Sequence, residues 1–319
     1  MSILFAGNWR QGNPEAELER SRWLQALQLA MPGEEWVLQA PATPAQAQDI
    51  ELAVVANPAH GCLQGLPNLR LIQSLWAGVD KLLADTSLPA DVPLARMVDP
   101  AMNEAMVQTA LWSVLSLHRG FFDVLRQQDL ALWQAPEQCR AHEWRVLVLG
   151  LGELGGRVAR SLAGLGYQVS GWSTRESKLD GVHTGCGAIE LSPLLAQADS
   201  VINLLPLTPQ TRGFFDVTRL AAMKRGATLV NLARGAHVVD ADLLAALDSG
   251  HMRHAVLDVF NVEPLAADHP FWRHPRVTVL PHTAAQTDPR SAAQVVAANL
   301  SALREGRPLA HLVERRKGY

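Results

Sequence analysis

Three polar residues stand at the ends of apolar runs that read as strands. Arg234 follows "TLVNLA", Glu263 follows "VLDVFNV" and His282 follows "VTVLP". An arginine presents paired donors that can clamp a carboxylate and polarise an adjacent carbonyl. A histidine can deliver a proton to an oxygen that is gaining negative charge, and a neighbouring carboxylate would orient the ring and favour its protonated form. A fourth feature is Gly150-Leu151-Gly152-Glu153-Leu154-Gly155, a G-x-G-x-x-G turn between the apolar run "WRVLVLG" and the helical pattern "ELGGRVARSLAGLG". Such glycines permit a tight turn, close approach of the main chain to a pyrophosphate and close helix–strand packing, while the helix N-terminus adds amide donors. Gly150, Gly152, Leu154 and Gly155 are therefore expected to contact a dinucleotide.

The acidic residue that holds a ribose 2′-hydroxyl in such sites falls about 20 residues after the glycines. Here that region is Trp172 to Arg175, in "GWSTRE". A carboxylate would repel a 2′-phosphate, whereas the Ser173 and Thr174 hydroxyls and the Arg175 guanidinium would donate to one. The reading is NADPH, with NADP preferred over NAD. Glu176 works against it, and the alternative is that Arg175 is a solvated loop residue.

These residues need elements to place them, and the chain supplies two series. The first runs through "SILFAG" (2–7), a helical pattern over 14–30, "EWVL" (35–38), "ELAVVA" (51–56) and "LRLIQSL" (69–75). The second begins at "WRVLVLG" (144–150) and continues through "YQVSGW" (167–172), "DSVINLL" (199–205), "ATLVNLA" (227–233), "HAVLDVF" (254–260) and "RVTVL" (276–280). Short apolar runs alternating with helical patterns, such as "DADLLAALDSG" (240–250), are the rhythm of parallel sheets with crossover helices. A helical pattern from about Asn103 to Gln127 reads as one long helix joining the two series. A last one, about Pro289 to Gly306, follows the completed second series and is expected to pack back on the first. The expected organisation is α/β, with a cofactor domain at 101–286 inserted into a discontinuous domain of 1–100 plus 287–319, and the active site in the cleft between them.

Composition excludes other classes. The 319 residues are 48% hydrophobic and 18% charged, with a net charge of -3, which argues against disorder and against a nucleic-acid or membrane-surface footprint. The basic tail Arg315-Arg316-Lys317 reads as a solvated terminus. Cys62, Cys139 and Cys186 are three in number without metal-like spacing, and the N-terminus lacks a signal-peptide pattern, so a reducing cytoplasm is expected. Asp268, His269 and His274 lack a third ligand at suitable spacing, and no metal is expected.

Taken together, "GLGELG", "LLPLTPQTRGFF" (204–215), "LVNLARG" (229–235), "LDVFNVEPL" (257–265) and "VLPHTAA" (279–285) resemble the D-isomer-specific 2-hydroxyacid dehydrogenases across nearly the whole chain. Within that family the chain is most similar to the bacterial glyoxylate/hydroxypyruvate reductase A group, through "GWSTR", "INLLPLTPQTRGFF", "NLARGAHVVDADLLAALDSG" and the final "GY".

The resemblance implies a Rossmann cofactor domain inserted into a flavodoxin-like substrate domain, and a homodimer built on the helix after Asn103 and the arm "ALWQAPEQ". It implies Arg234, Glu263 and His282 as the catalytic set. Leu205, Pro206, Thr211 and Ala233 would line the cofactor groove, with Asp258 near the nicotinamide carboxamide. In "SLWAGVD" (74–80) the Ala77 and Gly78 amides would receive a substrate carboxylate. Trp76 departs from the small residue usual there: its ring either narrows the substrate site or turns into the domain core. Trp133 either reaches a partner's site or packs within the arm. The implied reaction is NADPH-dependent reduction of glyoxylate or hydroxypyruvate. The alternatives are another 2-oxo acid, such as phenylpyruvate or pyruvate, or a non-catalytic cofactor-sensing protein.

Overall fold

The computed structural model describes residues 2–9, 12–39, 41 and 43–318. The chain forms two compact units, Met1–Met102 with Thr287–Tyr319, and Asn103–Gln286. The first begins with β1 (Ser2–Gly7), α1 (Pro14–Ala30), β2 (Glu35–Val37), α2 (Pro44–Asp49), β3 (Ile50–Ala56), β4 (Leu71–Ser74), α3 (Asp80–Leu83) and β5 (Leu94–Ala95). The start of α4 (Pro100–His118) closes that segment. The second unit continues through α5 (Phe121–Asp129), β6 (Arg145–Leu149), α6 (Glu153–Gly164), β7 (Gln168–Ser173), β8 (His183–Cys186), α7 (Gly187–Gln197) and β9 (Ser200–Asn203). It ends with α8 (Val217–Ala222), β10 (Ala227–Asn231), α9 (Asp240–Asp248), β11 (Met252–Leu257) and β12 (Val277–Val279), and α10 (Pro289–Glu305) belongs again to the first unit.

In the first unit the strand order is β2-β1-β3-β4-β5, all parallel, the flavodoxin-like order. Every residue of β3 and β4 is buried, as expected for strands covered on both faces. Helix α1 starts where the Asn13 side chain accepts from the Glu15 and Ala16 amides, with Pro14 in its first turn. It buries Trp23 and Leu27 in a core shared with Phe5, Leu52, Val54 and, from α10, Val296 and Leu300. Polar groups fix α10 further: buried Asn299 donates to Gln73 at 2.7 Å, and Arg304, at the exposed end of the helix, bonds the buried Glu51 at 2.6 Å and Glu34 at 2.6 Å.

The second unit carries seven parallel strands in the order β12-β11-β10-β9-β6-β7-β8. Numbered within the unit this is the doubly wound order 3-2-1-4-5-6 with one strand added, and it reverses at β6 and β9. The carboxyl ends of those two strands are pressed together. The Leu204 amide donates to the Leu149 carbonyl at 2.9 Å, and a Cβ on Gly150 (φ 94°) would come within 2.7 Å of the Leu204 carbonyl oxygen. Gly155 is equally constrained, because its Cβ would lie 1.8 Å from the Gly150 carbonyl oxygen.

Two expectations fail. The long helix from Asn103 to Gln127 is two helices, since Arg119 and Gly120 interrupt it and Gly120 takes a left-handed φ of 70°. Between the runs 167–172 and 199–205, where only a crossover helix was implied, the segment 177–198 holds a further strand, β8, before the helix α7. β8 is an edge strand with only Gly185 fully buried, so it lacks an apolar run, and Pro193 lies inside α7, where it reads as a breaker.

Candidate active site

The carboxyl ends of β10, β11 and β12 carry Arg234, Glu263 and His282. Three adjacent parallel strands span about 10 Å, so topology alone collects these residues at one edge of the sheet. The His282 Nδ1 lies 2.8 Å from Glu263 Oε2. The pair is open to solvent, with side chains 53% and 32% exposed. The other carboxylate oxygen, Oε1, accepts from the Phe260 amide at 2.9 Å, which fixes the glutamate. His282 is held at φ 54°, a conformation that costs a non-glycine residue roughly 1 kcal/mol or more. Its amide donates to the Asp258 carbonyl at 2.9 Å and to that of Leu280 at 3.0 Å. Strain sustained by such contacts is common where a side chain must be aimed.

Asp258 is 2% exposed and its Oδ1 accepts from the amides of Thr283 at 2.7 Å and Ala284 at 3.0 Å. Burial pushes its carboxyl up to about 6, against the opposing pull of those two amides. In the protein it therefore fastens the turn that carries His282.

Arg234 is half-buried, and its Nη1 donates to the Ala233 carbonyl at 2.8 Å. The next residue, Gly235, admits no side chain, because a Cβ would come within 1.9 Å of the Phe260 carbonyl carbon. The loop carrying Arg234 is thus set against the turn that holds Glu263.

At the glycine turn the protein accounts for Gly150 and Gly155 but not for Gly152, whose Cβ would meet no atom of the described residues within 4 Å. The turn leads into α6, whose first residues receive no side-chain cap. Open space over uncapped amides at the positive end of a helix is the arrangement a pyrophosphate requires, so these residues fit a dinucleotide.

The other expected cofactor contacts divide by what their polar atoms already do. Ser173 donates to the Arg175 carbonyl at 2.5 Å and shapes its own loop. Thr174 and Arg175 are exposed, and the Arg175 guanidinium forms no ion pair among the described residues. Thr211 is buried and its hydroxyl donates to the Pro206 carbonyl at 2.7 Å, folding the 204–211 loop; Leu205 and Ala233 are also buried. Leu154 lies in the first turn of α6. His269 and His274 turn to Asp240 at 3.6 Å and Asp248 at 3.1 Å.

In the first unit, Trp76, Ala77 and Gly78 are half-buried after β4. The Trp76 ring meets Trp23 edge-on at 5.9 Å and 86°, against the core of that unit. Its main chain is tied by the Ser74 hydroxyl at 3.0 Å and the Met97 amide at 3.1 Å. Trp133 is fully exposed in the arm that follows α5.

Sequence reasoning overlooked Asn203, Asn231 and His237, all wholly buried. The signal was present: an asparagine closes each of the apolar runs "VIN" and "LVN", where a buried strand has no use for an unpaired amide.

A family model described as "D-isomer specific 2-hydroxyacid dehydrogenase, NAD binding domain" matches residues 111–284. The chain is 40% identical over 281 residues to the glyoxylate/hydroxypyruvate reductase A of Serratia proteamaculans (strain 568), covering 86% of this chain and 90% of that protein. A D-isomer specific 2-hydroxyacid dehydrogenase from Xanthobacter autotrophicus Py2, solved in complex with NADPH and MES, superposes with a TM-score of 0.92 at 38% identity, covering 100% of this chain and 99% of that one. The NADPH-dependent glyoxylate/hydroxypyruvate reductase of Sinorhizobium meliloti, solved with NADP and sulfate, gives a TM-score of 0.89 at 34% identity over 100% of both chains.

Proposed function

The chain belongs to the D-isomer-specific 2-hydroxyacid dehydrogenase family, and from that premise we propose that it reduces glyoxylate and hydroxypyruvate with NADPH. It is an NADP-dependent 2-hydroxyacid dehydrogenase, as its likeness to NADPH- and NADP-bound relatives supports. The observation that carries the catalytic reading is the Glu263–His282 pair at 2.8 Å, on the strand ends beside Arg234.

The dinucleotide, when bound, supplies the hydride that C2 of the 2-oxo acid accepts. The protein supplies position, charge and a proton. With Nδ1 engaged by Glu263, Nε2 of His282 is the atom that protonates the substrate oxygen as it becomes an alkoxide. Arg234 clamps the substrate carboxylate and polarises the neighbouring carbonyl. Gly150, Gly152, Leu154 and Gly155 hold the pyrophosphate. Leu205, Pro206, Thr211, Ala233 and Asp258 line the groove toward the nicotinamide. Thr174 and Arg175, with Ser173 shaping their loop, receive the 2′-phosphate.

Following NADPH and NADH absorbance with glyoxylate, hydroxypyruvate, pyruvate and phenylpyruvate tests this reading. Turnover of the two small acids is expected, with NADPH the better donor; no oxidation with any of them overturns it. Arg175→Ala should weaken NADPH about 10- to 100-fold, the scale of a charge-assisted hydrogen bond, and leave NADH nearly unchanged. Equal loss for both cofactors would remove Arg175 from the phosphate site.

The family resemblance also implies a homodimer, and the surface supports one. Trp112, Phe121, Leu125, Leu132 and Trp133 are exposed large apolar residues on α4, α5 and the following arm, the kind of surface that an interface would bury. A charge among them, Leu125→Asp, should shift the 34.7 kDa chain from dimer to monomer in sedimentation. A parent protein that sediments as a monomer defeats this assignment.

A further inference from the structure

Asn203 at the end of β9, Asn231 at the end of β10 and His237 just beyond are each 0% exposed. Asn203 and Asn231 are direct partners in the strand register, among apolar neighbours such as Ile202 and Val230. Polar side chains in such a place are costly unless their hydrogen bonds are made. Here they are made in one connected chain. Asn203 Nδ2 donates to Asn231 Oδ1 at 2.9 Å and to His237 Nδ1 at 2.9 Å. Asn203 Oδ1 accepts from the Leu205 amide at 3.2 Å, and Asn231 Oδ1 accepts from that of Ala233 at 3.3 Å. At the two ends, Asn231 Nδ2 donates to the Arg234 carbonyl at 3.0 Å, and His237 Nε2 donates to that of Pro206 at 3.3 Å.

Main-chain groups leave this set a single orientation. Amides of Leu205 and Ala233 can only donate, and carbonyls of Pro206 and Arg234 can only accept, so both side-chain amides and the imidazole tautomer are determined. The chain therefore ends on the two loops that the reaction needs. One carries Leu205 and Pro206 on the cofactor groove, and the other carries Arg234. We propose that Asn203, Asn231 and His237 are positioning residues for the reaction, holding the nicotinamide-side loop and the arginine clamp at a common setting from inside the sheet. The assignment rests on the reductase reading for Arg234 and on the dinucleotide site for Pro206.

The two ends make separable predictions. Asn231→Asp keeps the acceptor and removes the donor to the Arg234 carbonyl. It should lower kcat/KM for the 2-oxo acid about tenfold or more, the scale of one unsatisfied buried group, with NADPH Kd within about threefold of the parent. His237→Leu removes the bond to Pro206 and should raise NADPH Kd about tenfold in a fluorescence titration without substrate, while His237→Gln, which retains a donor, should recover most of that loss. Folded variants with both constants within about twofold of the parent overturn the proposal. So does proportional loss of both constants in every variant together with a lowered Tm, which is what a merely structural role produces. If His237→Leu does not fold, Asn231→Asp decides, and unchanged kcat/KM there is sufficient to reject. Should the parent reduce no 2-oxo acid, the functional reading fails, and the NADPH titrations still judge the His237 end by themselves.

Discussion

His282→Ala is expected to lower kcat for reduction of the 2-oxo acid by about 10²- to 10⁴-fold, the usual worth of a positioned general acid, with NADPH affinity almost unchanged. The imidazole is the group paired to Glu263 at 2.8 Å, and its side chain is 53% exposed, so its removal opens no cavity in the core. The fold should survive the change. A backbone effect has to be separated from a chemical one, because His282 sits at φ 54°. His282→Asn serves that purpose: asparagine adopts the left-handed region more readily than most residues and cannot act as the acid. Both variants should lose kcat alike in steady-state assays. A kcat within a few-fold of the parent in either, with saturating NADPH, would remove His282 from the role.

Arg234→Leu should cost about 10²- to 10³-fold in kcat/KM for the same substrates, the range found when one preorganised donor to developing charge is lost. The guanidinium offers two parallel N–H groups to a carboxylate, which an ammonium cannot reproduce, so Arg234→Lys should restore only part of the loss. The position tolerates the test structurally, since Arg234 is half-buried and follows the strand rather than lying within it. NADPH Kd should change little. A kcat/KM within about threefold of the parent for Arg234→Leu would mean that the substrate carboxylate is held elsewhere.

Both predictions concern residues found because they interrupt apolar runs. "TLVNLA" and the first part of "VLDVFNV" are buried strand segments of a parallel sheet, "VTVLP" lies on its half-buried edge strand, and an ionisable group at the end of such an apolar run stands out from the run itself. The glycine turn was legible for a similar reason, since no other residue tolerates φ 94° at Gly150 or the 1.8 Å approach at Gly155. Less visible were elements whose signal is weak or divided. β8 is an edge strand with little to bury, α7 carries an internal proline, and the break at Gly120 lies within a pattern that keeps its apolar period on both sides.

By itself the sequence determined the α/β class, the membership of a dehydrogenase family and the polar residues at the strand ends, because these follow from local periodicity, from glycine's freedom and from motifs in a set order. Only the tertiary structure decided how each polar atom is used. The Ser173 and Thr211 hydroxyls are spent on their own loops, Asp258 fastens the His282 turn, and the Trp76 ring rests against Trp23. The Asn203–Asn231–His237 chain belongs to the same class. Its members are up to 34 residues apart in sequence and meet through the register of two parallel strands, a property of the sheet that no single segment contains.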